Sequence, residues 1–237
     1  MNIVMIIAGG RGERMQQDIP KQFLNIHDKP VIVYTMQAFQ KHPEIDGILV
    51  VCIDGWQEIL KAYAHQFNIT KLRWVVAGGN NGQESIHNGI MELQKYCDGA
   101  DLVLVHDGIR PNVSQEIISN CIAECRLHGS AITVIPCAEA MLLRSEERNS
   151  SSSVISRDML ARTQTPQAFP LKKLLWAHEE AQKRKISNSI ASCTLMVELG
   201  EEVYFCPGSE KNIKITTTDD MEIFKALLMA RKDDWLK

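Results

Sequence analysis

The sequence predicts an α/β fold, a mostly parallel sheet covered by helices on both faces. Three observations lead there. Short apolar runs alternate with helix-length stretches from one end of the 237 residues to the other, the pattern of strand–helix–strand units. A glycine-rich turn follows the first apolar run, and further polar clusters follow later runs, where open α/β sheets carry their sites. No internal repeat or linker divides the chain, so residues 1–237 read as one domain.

Each element has its own justification. Residues 3–7 form a buried strand that runs into the glycine turn. A helix over 31–40, a strand over 47–53, a helix over 56–66 and a short strand over 72–76 follow. Residues 85–96 read as a helix with Ile86, Ile90 and Leu93 on one face, and 102–105 as a strand. Ser114 is placed to cap a helix bearing Ile117, Ile118, Cys121, Ile122 and Cys125, which Gly129 ends before a strand at 131–136. The serine-rich patch 149–153 lies between apolar residues 141–143 and 154–155. It is either the tip of an extended hairpin or a disordered surface loop, and the serines do not decide between them. Near the C-terminus, 212–216 reads as a strand, with Thr217 or Thr218 capping a final helix.

Composition narrows the class. A hydrophobic share of 45% with 23% charged residues supplies an ordinary globular core. A formal charge of −3 disfavours broad binding of nucleic acid, which needs a basic face, but leaves room for a local anion site. The seven cysteines form no C-x-x-C pair and fit buried, reduced thiols. The apolar run 2–8 stops at Gly9-Gly10-Arg11-Gly12, and no segment approaches the ~20 apolar residues of a membrane helix. A soluble cytoplasmic protein is the expectation.

The strongest local signal is Ala8-Gly9-Gly10-Arg11-Gly12-Glu13-Arg14-Met15, followed by Pro20-Lys21-Gln22. Glycines allow close backbone approach to a ligand, and successive N–H groups can cradle phosphate oxygens. Arg14 and Lys21 add positive charge. Two familiar phosphate loops fail: the dinucleotide fingerprint wants glycine where Met15 stands, and the P-loop needs Gly-Lys-Ser/Thr. Three further clusters stand at strand ends. They are Ala77-Gly78-Gly79-Asn80 with Ser85, then His106-Asp107-Gly108-Ile109-Arg110-Pro111, then Asn212-Ile213-Lys214-Ile215-Thr216. Asp107 is a candidate metal ligand. Taken singly, His106 reads as a hydrogen-bonded core histidine and Lys214 as a solvated surface charge.

Taken in one order, these motifs, with Gln164-Thr165-Pro166-Gln167-Ala168-Phe169, resemble a known family over nearly the whole chain. The sequence is similar to the cytidylyltransferases acting on 2-C-methyl-D-erythritol 4-phosphate and on ribitol 5-phosphate. The resemblance implies a Rossmann-like twisted sheet with a protruding β-arm, here about 139–157, that clasps a second subunit in a homodimer. It implies transfer of CMP from CTP to a small phosphorylated polyol or sugar, assisted by Mg²⁺ or another divalent cation. Ala8, Gly9, Gly10 and Gly12, with Gly79, Asn80 and Ser85, would hold the nucleotide. Arg14 and Lys21 would stabilise charge on the phosphates, and Asp107 would help place the metal. Lys214 and Arg157 would position the acceptor phosphate, Arg157 in the partner's site. Arg110, Glu139, Thr165 and Ser192 would complete the acceptor side.

Three positions depart from the family pattern. Asn81-Gly82 stands where the family carries Arg, Glu139-Ala140 where it has Asp-Thr, and Ile190-Ala191 where it has Thr-Asp or Ser-Asp, followed here by Ser192-Cys193. The lost hydroxyls and carboxylate lead to the expectation that both named polyols are poor substrates. Competing readings are a nucleotidyltransferase for another base or acceptor class, and a nucleotide-binding homologue with little turnover.

Overall fold

The computed structural model describes residues 1–10, 19–147 and 149–232. In chain order the first half contains β1 (Asn2–Ala8), a small hairpin of β2 (Asn25–Ile26) and β3 (Lys29–Pro30), α1 (Val31–Gln40), β4 (Gly47–Cys52), α2 (Gln57–Gln66), β5 (Leu72–Ala77), α3 (Gly82–Leu93) and β6 (Leu102–Asp107). There follow α4 (Gln115–His128), β7 (Ala131–Pro136), β8 (Met141–Leu143), β9 (Ser153–Ile155), β10 (Ala161–Pro170), α5 (Leu171–Arg184), α6 (Ser192–Glu198), β11 (Phe205–Pro207) and α7 (Thr218–Lys232).

Seven strands make the main sheet in the order β11-β7-β10-β6-β1-β4-β5. All run parallel except β10, which is antiparallel to both β6 and β7. The central strands are apolar throughout because both faces are covered. On one face Val4, Ile6, Ile48 and Val50 pack with α1, α2 and α4. On the other Ile3, Met5, Leu49 and Val51 pack with α3, α5 and α6. Alternate residues of one strand therefore feed two separate cores. Burying each such side chain contributes about 1.5–3 kcal/mol. The seven cysteines are free, and all but Cys97 are buried.

The helix ends follow local chemistry. Ser114 Oγ accepts the Ile117 N–H at 3.2 Å, and Gly129 ends α4 with φ of 74°. Thr217 caps α7, its Oγ1 accepting the Asp220 N–H at 3.3 Å while Asp220 accepts the Thr217 N–H at 2.8 Å. The helix expected from residue 85 begins at Gly82 instead, because Asn81 caps it by accepting the Glu84 N–H at 2.9 Å. Asn-x-x-Glu at 81–84 is the sequence signal of that start.

One expected strand is absent. Residues 212–216 lie outside the sheet, with one ladder-like bond from Ile215 N–H to Ile109 O at 2.9 Å. Side chains take its neighbouring carbonyls: Arg110 donates to Asn212 O and Asn112 to Lys211 O. The serine-rich patch resolves towards the hairpin. β8 pairs antiparallel with β9, Met141 opposite Ile155 and Leu143 opposite Ser153, and Ser151 Oγ donates to Leu143 O at 2.6 Å. Among the described residues no helix is long and apolar enough to cross a membrane.

Candidate active site

Strand order places the site. From β1 the chain moves to β4 and β5 on one side, then returns to β6 on the other. Such a switch point opens a crevice beyond the strands' C-terminal ends. A cavity of about 730 Å³ lies there, lined among others by Ala8, Gly9, Gly10, Lys21, Gly79, Asn80, Ser85, Asp107 and Lys214. Four sequence clusters far apart in the chain thus meet in one place. Arg14 and Gly12 lie outside the described residues.

The floor is backbone. A Cβ on Gly9 would sit 3.2 Å from Gly78 Cα, and one on Gly78 would sit 3.0 Å from Gly9 Cα. Two chain segments therefore cross at a distance that a side chain would disturb. Ser85 ties the second segment to α3: its Oγ accepts the Gly79 N–H at 3.0 Å and donates to Asn81 O at 2.9 Å. Gln22 ties the first. Its buried Nε2 donates to Ala8 O at 2.8 Å and to Gly10 O at 3.0 Å, bracketing Gly9. Gln22 stands in the Pro-Lys-Gln run, where nothing in the sequence alone gives it a role. A long polar side chain beside a glycine turn was the available signal.

The wall is charged. Asp107 faces two cations, with Arg110 Nε 3.0 Å from Oδ2 and Lys214 Nζ 3.1 Å from the same oxygen. Burial pushes the Asp107 carboxyl upward, but Lys214 and Arg110 outweigh it and hold it below the usual carboxylate range. Two cations against one carboxylate leave a positive wall, suited to a polyanion. Lys214 is therefore an ion-paired cavity residue and not merely a solvated charge.

His106 supports this wall from behind. It is fully buried, and burial pushes its pKa down to about 4, so it is neutral at pH 7. Its Nε2 lies 3.1 Å from Arg110 O, a carbonyl that can only accept, so Nε2 carries the proton. Nδ1 then accepts from Thr165 Oγ1 at 3.1 Å, and that oxygen accepts the Asp107 N–H at 3.0 Å. The plain reading of His106 as a hydrogen-bonded core residue holds. Its Nδ1 lone pair is engaged by Thr165 and its pKa is low, so it is poorly suited to act as a base at neutral pH.

The remaining sequence candidates lie apart from the cavity lining. Thr165 and Arg110 sit behind Asp107. Glu139 is exposed, 3.9 Å from Arg162. Arg157, at the base of the hairpin, donates to Ala138 O at 2.8 Å. Ser192 is buried with no hydrogen-bond partner for its Oγ among the described residues. Ile190 is 95% exposed, and Ala191 caps α6 only through Thr194 Oγ1, which accepts its N–H at 2.9 Å. Loop 186–189 packs on the first turn of α3: Gln83 donates to Ile186 O and accepts from Ser189 N–H.

A doubly wound sheet with a glycine floor and a positive wall at its switch point defines a nucleotide-binding protein that handles phosphate groups. The comparisons make this particular. Residues 2–230 match the model of the 2-C-methyl-D-erythritol 4-phosphate cytidylyltransferase family, and the chain belongs to that family. It is 41% identical to a ribitol-5-phosphate cytidylyltransferase of Lacticaseibacillus paracasei, over 98% of this chain and 100% of that one. It is 34% identical to a 2-C-methyl-D-erythritol 4-phosphate cytidylyltransferase of Clostridium botulinum, over 96% and 97%. The 2-C-methyl-D-erythritol 4-phosphate cytidylyltransferase of Francisella tularensis superposes with a TM-score of 0.80 at 25% identity, covering 95% of this chain and 99% of that one. The chain is a CTP-dependent nucleotidyltransferase that transfers CMP to a small phosphorylated polyol or sugar, releasing pyrophosphate.

Proposed function

We propose that the acceptor is ribitol 5-phosphate, and that catalysis rests on charge stabilisation without a general base. The observation that carries the mechanism is the wall of Asp107 and Lys214, with Arg110 paired to Asp107 from behind and a neutral histidine whose two nitrogens are engaged within the protein. A phosphate monoester has a second pKa near ~6 and is largely dianionic at neutral pH. Its oxygen attacks the α-phosphorus of CTP in line, the bond to the bridging oxygen breaks, and pyrophosphate leaves. The barrier comes from bringing anions together, so cations and alignment lower it. Lys21 and Arg14 face the triphosphate in this reading, and Lys214 the acceptor phosphate.

Ribitol 5-phosphate is favoured over the branched tetritol by the higher end-to-end identity, 41% against 34%. The second reading is another alditol or sugar phosphate, favoured by Ala140, Ile190 and Ala191, which lack the hydroxyls and carboxylate of the family pattern. CTP-dependent pyrophosphate release with a panel of alditol and sugar phosphates, with the mass of each CDP product, separates the two. Ribitol 5-phosphate as the best acceptor supports the first reading; a superior acceptor elsewhere in the panel replaces it.

A divalent ion fits this donor set in one way. Among the described residues no cluster of three His, Cys, Asp or Glu could hold a metal unaided. Among the described residues one carboxylate, Asp107, lines the cavity, and Mg²⁺ is commonly held by one or two carboxylates plus substrate phosphates. Asp107 would hold an ion carried in by the triphosphate, which would offset charge on its oxygens.

The chain is proposed to act as a single domain in a homodimer through the arm at about 139–157. The arm carries Met141, Leu142, Leu143 and Val154 exposed to solvent, an apolar surface that calls for a partner. Arg157 would then serve the acceptor phosphate of the neighbouring subunit.

A further inference from the structure

Lys214 reaches the cavity from a segment that the sheet does not hold. Residues 212–216 belong to no strand, yet Lys214 Nζ stands 3.2 Å from Asp107 Oδ1 and 3.1 Å from Oδ2. The side chain is exposed and turns about several bonds, so its head is placed only as well as its backbone is. Two residues that bracket it, Asn212 and Ile215, are fully buried. Ile215 packs with Ile26, Val31, Ile109 and Phe224. Asn212 is the polar counterpart of that anchor.

Asn212 Nδ2 donates to Thr165 O at 2.9 Å and to Gln164 Oε1 at 3.2 Å. The Gln164 amide in turn pairs with Ser209 as a neighbouring strand would, accepting its N–H at 3.3 Å and donating to its carbonyl at 2.9 Å. These bonds make Oε1 the acceptor of Gln164, and so Nδ2 the donor of Asn212. Thr165 lies inside the break in the register of β10 and is matched with neither β6 nor β7. Its carbonyl is therefore open to Asn212, while its Oγ1 accepts the Asp107 N–H at 3.0 Å. One residue of β10 thus ties both the strand end that carries Asp107 and the segment that carries Lys214.

We infer that Asn212 is a positioning residue for Lys214, with Gln164 completing the tie, so that the break in β10 sets the cation against Asp107. Burying an amide costs free energy wherever a polar atom goes unbonded. Asn212 bears that cost, since its Oδ1 has no hydrogen-bond partner among the described residues. An apolar side chain would fill the space without it. What the amide adds is a fixed link from Lys214 to the strand beside Asp107.

The inference rests on the reading that Lys214 serves the acceptor phosphate, and a double-mutant cycle separates the two. Asn212→Ala, Lys214→Ala and the double variant are assayed with CTP and the best acceptor of the alditol and sugar phosphate panel. Assays run well below the Tm of each variant, which is also recorded. Asn212→Ala is expected to lower kcat about tenfold in the native background and less than about twofold beside Lys214→Ala, with the same effect on Tm in both. Damage to the fold alone would lower kcat by one factor in both backgrounds. Gln164→Met keeps the length of the side chain and removes its amide; it repeats the cycle, and carries it if Asn212→Ala does not fold. Equal factors in both backgrounds, or an unchanged kcat on loss of the tie, overturn the inference and leave the role of Lys214 standing. Near-native turnover in Lys214→Ala overturns that role and the inference with it.

Discussion

The two halves of the site are built differently. On the nucleotide side, backbone segments at the ends of β1 and β5 are fixed by Gln22, Ser85 and Glu84 through bonds of 2.8–3.0 Å. On the proposed acceptor side, Glu139, Arg157 and Ile190 are exposed and make few contacts within the chain, while Arg110, Thr165 and Ser192 are held inside it. A side that recognises a common nucleotide gains from being rigid before it binds. In the proposed dimer, the exposed part of the acceptor side would be completed by the neighbouring subunit.

The strongest way to break this comparison is to remove the arm. Replacing residues 139–157 by a short turn is expected to give monomers with activity near background, while CTP still binds; sedimentation, turnover and calorimetry check this. An active monomer would place the acceptor side wholly within one chain. Next in size is charge. Lys21→Ala and Lys214→Ala are each expected to lower kcat by ~10²–10³-fold with unchanged thermal stability. Near-native turnover in either would move the charge stabilisation elsewhere.

How much of this was legible depended on periodicity. β1, β4 and α3 carry apolar residues at strand or helix spacing, and the sequence reading placed each within a few residues of where it lies. β10 escaped because Ala161–Pro170 mixes Arg, Thr and Gln with Pro166, and its register with β7 shifts between Thr163 and Gln167. Thr133 covers the break by donating to Pro166 O at 2.6 Å, a long-range bond that no local pattern foretells. Cavity residues recognised as motifs share one property: glycine or charge in a short run. Gln22 and Glu84 act by reaching a carbonyl or amide elsewhere, so their type was visible and their target was not. The 212–216 segment looked like a strand because Ile213 and Ile215 alternate with polar residues; Arg110 and Asn112 hold its neighbouring carbonyls instead.

Two smaller effects sharpen the rigid half. Gln22→Ala leaves the carbonyls of Ala8 and Gly10 without their shared donor, and a loss of about tenfold in kcat/KM for CTP is expected. Gln22→Glu, an acceptor facing two acceptors, should be worse than alanine; the reverse order would show that Gln22 only fills space. The buried histidines set an acid limit. Burial pushes His106 and His178 to about 4 in the folded protein, below the usual 6.5. The unfolded chain therefore binds protons first, and stability falls as pH drops from about 6.5 towards 4. Above 6.5 these groups contribute no slope. Urea unfolding at pH 7 and pH 5 should show the loss, and His178→Phe should make it shallower by roughly 1 kcal/mol per pH unit. A slope unchanged by that substitution would assign the acid loss to other groups. Smaller still, deleting residues 149–153 at the arm's tip should leave dimerisation and kcat unchanged. Dissociation on that deletion would extend the interface to the tip.

The comparison stands or falls on whether one site draws on two chains, and subunit mixing measures that directly. Lys214→Ala and Arg157→Ala dimers, each nearly inactive, are unfolded together, refolded and assayed. If Arg157 serves the neighbouring subunit, half of the sites in each mixed dimer regain both residues, and about a quarter of native activity should return at statistical mixing. If Arg157 serves its own chain, every site in the mixture lacks one residue. No recovery beyond the sum of the two parents would then contradict the account.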